Sequence, residues 1–83
     1  MQMNGGKIGQ VVTALSELME DNTVPKNVKA KVESTLKTLN ETDEDSIKVS
    51  KALHQLEEIT EDSNIQPYTR TQIWNVISML EIV

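Results

Sequence analysis

The chain has no cysteine, no phenylalanine and a single histidine among its 83 residues. The missing thiols exclude disulfides, thiolate zinc sites and a cysteine nucleophile. Aromatic residues make up only 2% of the sequence, so any core must be built from Leu, Ile, Val and Met. No apolar run approaches the roughly 18 residues of a membrane span, and Met1 to Gln10 lacks the apolar stretch of a secretory signal. The chain is therefore expected to be soluble and cytoplasmic, with no membrane partner. Positive charge is also scarce: the net charge is −5 and the pI about 4.7. Phosphate attraction dominates general nucleic-acid affinity, so this balance disfavours RNA as a partner without removing it.

What the sequence does contain is helical periodicity. Residues 1–7 hold two glycines and no pattern, and read as a disordered N-terminus. From Ile8 onward, Val11, Val12, Leu15, Leu18 and Met19 follow the i, i+3, i+4, i+7 spacing of one apolar stripe, which predicts a first helix ending near Asp21. Pro25 suits the first turn of a second helix, where a missing N–H is harmless. Its stripe is Val24, Val28, Val32, Leu36 and Leu39. Thr42 and Asp45 resemble a capping box opening a third helix, about Glu44 to Asp62, with Val49, Ala52, Leu53, Leu56 and Ile59 on its stripe. Ile47 falls off that stripe. A fourth helix begins at Pro67 or Tyr68 and carries Ile73, Val76, Ile77, Leu80 and Val83.

Sliding the chain by 41 residues superimposes these stripes. Val11, Leu15 and Leu18 fall on Ala52, Leu56 and Ile59, and Val24, Val32 and Leu39 fall on Ile65, Ile73 and Leu80. Each half is then a helical hairpin with one apolar side, which must bury against the other half. The expected fold is all-α. It is a four-helix, up-and-down antiparallel bundle built from two hairpins and occupying residues 8–83 as one domain.

Two segments carry a resemblance. Asp-x-x-Val-Pro at Asp21 to Pro25, and above all Pro-Tyr-Thr-Arg-Thr-x-Ile-Trp at Pro67 to Trp74, resemble uncharacterised protein family 0147 of archaea, over nearly the whole chain from Ile8. The resemblance implies an archaeal cytosolic protein with a bundle similar to the bromodomain arrangement, and it implies no activity. The family's first loop often reads Pro-Arg-Asn-Val-Arg. Here Lys26 and Lys29 stand at the arginine places, which weakens any forked recognition of an oxyanion there.

Few constellations can carry chemistry. His54, Glu57, Glu58 and Glu61 share one helix face, but a di-metal bundle needs Glu-x-x-His motifs on two helices and further glutamates. Nucleophilic catalysis needs a hydroxyl beside a base held by a third group, and one histidine without a Gly-x-Ser-x-Gly elbow does not supply it. Gly5, Gly6 and Gly9 follow no strand and make no phosphate loop. The expectation is no enzyme, no cofactor and no metal.

The remaining candidates are for interaction. Arg70 and Trp74 lie four apart and can stack as a cation–π pair, with Glu61 and Asp62 close enough across the loop to pair with Arg70. Tyr68, Arg70 and Trp74 would then form either a loop clamp or a recognition surface, since these residue types are enriched at interface hot spots. Met79 and Ile82 leave the main stripe of the last helix, so either a fuller surround within the bundle buries them or a second chain does, in a homodimer or with another protein. Lys26, Lys29 and Lys37 form a candidate basic face for RNA or a ribosome-associated role, provided that they converge with Arg70.

Overall fold

The computed structural model describes the backbone of residues 3–82 and the side chains of residues 8–82. Four helices account for nearly all of it: α1 (Met3–Met19), α2 (Lys26–Leu39), α3 (Asp45–Thr60) and α4 (Pro67–Glu81). Each packs on two neighbours, in the closed order α1–α2–α3–α4–α1, and among the described residues the diagonal pairs make no close backbone approach. That is the signature of an up-and-down bundle with short connections. Its principal extents are 38 × 20 × 18 Å.

The expected boundaries shift at three places. α1 starts at Met3, so its helical backbone runs through residues 3–7, ahead of the expected start at Ile8 and into the stretch read as disordered. Gly5 and Gly6 each cost about 1 kcal/mol relative to Ala in a helix interior. Met1, Gln2 and Val83 lie outside the described residues. α3 opens at Asp45 behind an N-cap Glu44 that makes no side-chain cap bond. The Thr42–Asp45 capping box therefore does not form, because the turn extends two residues beyond Thr42 before the helix begins. Pro67 sits in the first turn of α4 as expected, whereas Pro25 is the N-cap of α2, one residue before its helical start.

The core is aliphatic throughout. Leu15 and Val11 of α1, Val28 and Val32 of α2, Ala52, Leu56 and Ile59 of α3, and Ile73 of α4 are completely buried. Removing the Leu56 side chain would cost about 2–5 kcal/mol, a large share of a small domain's stability. The stripe search missed three buried threonines, Thr35, Thr38 and Thr69. Thr35 and Thr38 turn their hydroxyls back to the carbonyls of Lys31 and Ser34 at 3.0 and 3.1 Å, which leaves their methyl groups facing the core. Ile47, unplaced by periodicity, is on the surface of α3, 44% exposed.

The 41-residue repeat extends to individual hydrogen bonds. The amides of Glu20 and Asp21 close the last turn of α1 onto Glu17 and Leu18, and those of Glu61 and Asp62 close α3 onto Glu58 and Ile59 in the same way. Val24 and Ile65 plug the ends of the two loops, each 4% exposed.

Candidate functional site

The loops 20–25 and 61–66 share one end of the bundle. Each is folded by an aspartate that accepts the amide two residues ahead: Thr23 N–H donates to Asp21 Oδ1 and Asn64 N–H to Asp62 Oδ1, both at 2.8 Å. Short polar side chains favour such turns because they offer the backbone a local partner. Asp21 also accepts the Thr23 hydroxyl at 2.7 Å. That hydroxyl, the Thr23 amide and the nearby Lys29 ammonium hold the Asp21 carboxyl below the usual carboxylate range. The other oxygen of Asp62, Oδ2, accepts the side-chain amide of Asn27 at 2.9 Å and so ties one hairpin to the other.

Arg70 projects from the first turn of α4 onto the end of α3. Its Nε donates to the carbonyl of Thr60 and its Nη2 to the carbonyl of Asp62, each at 3.1 Å. The expected pairing with the Glu61 and Asp62 carboxylates is replaced by backbone capping, and among the described residues Arg70 forms no ion pair. The last carbonyls of a helix have no intrahelical donors, and the negative end of its dipole favours a cation there. Asp62 meanwhile is occupied by Asn64 and Asn27. Arg70 is thus the hairpin clamp.

Freed of Arg70, the candidate interaction residues resolve into an outward face of α4. Tyr68, Trp74 and Ile82 are 67%, 53% and 66% exposed. Tyr68 is steadied by Gln72, whose Nε2 donates to its hydroxyl at 3.3 Å. Thr71, Asn75 and Ser78 are exposed between them, and Glu81 is the single charge. Other faces contrast with this one: α3 exposes Asp45, Lys51, Glu57 and Glu58, and α2 exposes Lys26, Lys31, Glu33 and Lys37. Met79 belongs elsewhere, half-buried and packed against the core.

The basic residues do not gather at one end. Lys26 and Lys29 share the loop end with Arg70, but Lys37 lies in the last turn of α2 at the opposite end, about 16 Å from Lys26 along the axis. Lys51 is engaged at 3.4 Å with Asp43 and 3.9 Å with Glu41 across the α2–α3 connection. His54 pairs with Glu58 at 3.4 Å on an exposed helix face. Among the described residues no three acidic or imidazole groups gather as a metal site would require, and no helix is long and apolar enough to cross a membrane. A groove of about 430 Å³ between the start of α3 and the end of α4 is floored by Val49, Leu53 and Leu80 and rimmed by Ser46, Ser50 and Glu81. It holds no buried charge that would select a ligand.

The model of uncharacterised protein family UPF0147 matches residues 1–83. The chain belongs to this family. Among archaeal relatives, a UPF0147 protein of Methanothermobacter thermautotrophicus is 36% identical over 84 residues, covering all of this chain and 82% of its own. One of Methanocaldococcus jannaschii is 40% identical over 74 residues, covering 88% of this chain and 80% of its own. The crystal structure of a protein of unknown function, MMP1188, matches with a TM-score of 0.92 and 34% identity, covering all of this chain and 96% of that one. These relatives are archaeal, MMP1188 shares the fold, and the family is described as uncharacterised.

Proposed function

We propose that this UPF0147 protein is a non-enzymatic interaction module, and that it meets another protein chain through the outward face of α4. The supporting observation is Trp74, the only tryptophan, left about half exposed on the same helix as the exposed Tyr68, on a face with one charge. Interface centres are depleted of charge and enriched in aromatic residues, and such residues carry most of the binding energy when a partner desolvates them. Arg70, the third member of the candidate patch, turns its Nε and Nη2 inward onto the carbonyls of Thr60 and Asp62. The reading therefore rests on the exposed rings, with the guanidinium turned toward the end of α3. The non-enzymatic part of the reading rests on His54, which lies in the open on α3 with Glu58 as its partner, where water screens whatever charge a reaction develops.

The test uses the full chain as bait in archaeal cell extract at low salt, with and without nuclease. Wild type is compared with a Tyr68→Ala, Trp74→Ala double variant whose helicity is verified by circular dichroism. The expected result is a discrete protein retained through nuclease treatment and weakened by at least about tenfold in the variant. Retention unchanged in the variant would overturn the assignment of the face. Retention lost with nuclease would transfer the role to RNA and the lysines.

A further inference from the structure

We infer that the occupant of the α4 face is a second copy of this chain, packed antiparallel about a twofold axis through Asn75. This rests on the reading of that face as a contact surface and names its partner. Tyr68, Asn75 and Ile82 recur every seven residues, with Thr71 and Ser78 between them, and all five are exposed. Heptad spacing aligns Tyr68 and Asn75 in one seam along the helix, with Ile82 at its C-cap, one residue past the end. The seam is symmetric about Asn75, with a large apolar residue two turns to either side and small polar residues in the middle.

That arrangement complements itself. An antiparallel crossing at Asn75 brings Tyr68 of one copy level with Ile82 of the other. Small side chains at the crossing let the backbones approach, and two turns away helices crossing at about 20° have separated by only about 1 Å more. The larger Tyr68 and Ile82 fill that widening. A carboxamide carries both donors and an acceptor, so the two Asn75 side chains can pair across the axis. Trp74, one residue from the axis, covers the flank.

Charge favours the same choice. Two copies each carrying −5 repel wherever acidic surfaces meet, and this face carries only Glu81. In the antiparallel arrangement the two Glu81 residues lie about 18 Å apart along the axis, about twice the screening length at physiological salt.

The experiment is sedimentation equilibrium of the full chain over a range of concentrations, for wild type, Asn75→Glu, Asn75→Lys and a one-to-one mixture of the two variants. Wild type is expected to reach a dimer. Each single variant, placing like charges on the axis, should dimerise at least about tenfold more weakly. The mixture should recover dimer as a heterodimer, because only a residue facing its own copy gains from opposite charges. Wild type that stays monomeric at every concentration would overturn this inference while leaving the α4 face open to a different protein. A dimer unaffected by Asn75→Glu would overturn this inference, because the copies would then meet through another surface.

Discussion

Asn27 and Asp62, 35 positions apart, join the two hairpins through one 2.9 Å hydrogen bond from amide to carboxylate. The same carboxylate, through its other oxygen, folds the α3–α4 loop by accepting the Asn64 amide. One aspartate thus sets a turn and fixes the partner hairpin against it. In a double-mutant cycle, Asp62→Ala alone should cost about 1–2 kcal/mol, while its coupling to Asn27→Ala should be about 0.5–1 kcal/mol. Urea unfolding midpoints measure both.

Arg70 should be more costly to replace than its partial exposure suggests. Its fork reaches two carbonyls at the end of α3, and charge-assisted bonds of this kind contribute about 1.5–3 kcal/mol. Arg70→Ala should lower stability by about that amount. Arg70→Lys should recover less than half of the loss, because an ammonium on a flexible stem does not reproduce the planar fork. Chemical unfolding of the two variants separates the fork from the charge.

Thr69 offers a stabilising change. It is 1% exposed, and its hydroxyl has no partner within the fold. The repeat-related position, 41 residues earlier, is Val28, also fully buried. Thr69→Val keeps the shape and removes an unsatisfied buried oxygen, so a gain of about 1 kcal/mol is expected. In a domain of this size that raises Tm by about 4–8 °C, and calorimetry will detect it.

Asp21 should contribute to acid sensitivity. Its folded carboxyl is held below the usual range, first by the Thr23 hydroxyl and amide and then by Lys29. The unfolded chain therefore takes up that proton first as the solution is acidified. The stabilisation is complete above the ordinary aspartate value of about 4 and is lost as pH falls through the lower folded value. Asp21→Asn should flatten the dependence of the urea midpoint on pH below about 4 and leave its slope near neutrality unchanged.

Much of this architecture is legible in the sequence, and the illegible parts share a cause. The stripes from Val11 to Leu18 and from Ile73 to Leu80, the proline opening α4 and the 41-residue offset are local regularities, and periodicity reads them directly. The end chosen by Arg70 is also legible from its distance to the end of α3. Its partners are not, because a helical wheel gives the azimuth of a side chain and says nothing of which acceptor lies within reach. The nearby carboxylate of Asp62 was already committed to Asn27, a contact between hairpins that no local pattern signals. Periodicity leaves Met79 off the stripe, open to burial within the bundle or by a second chain; its long flexible side chain reaches the core from the stripe's edge. Lys37 was grouped with Lys26 and Lys29 by azimuth alone, and the helix carries it to the far end.

The outward face of α4 as the place where this protein meets another chain is tested most directly by site-specific photo-crosslinking. A benzophenone side chain is installed at position 74, or at the exposed position 57 on α3 as the control, and the full-length protein is irradiated in archaeal extract. The account predicts one discrete adduct from position 74, at twice the chain mass if the partner is a second copy, and none from position 57. Adducts from position 57 alone, or none from position 74 when the protein is folded and abundant, would contradict it.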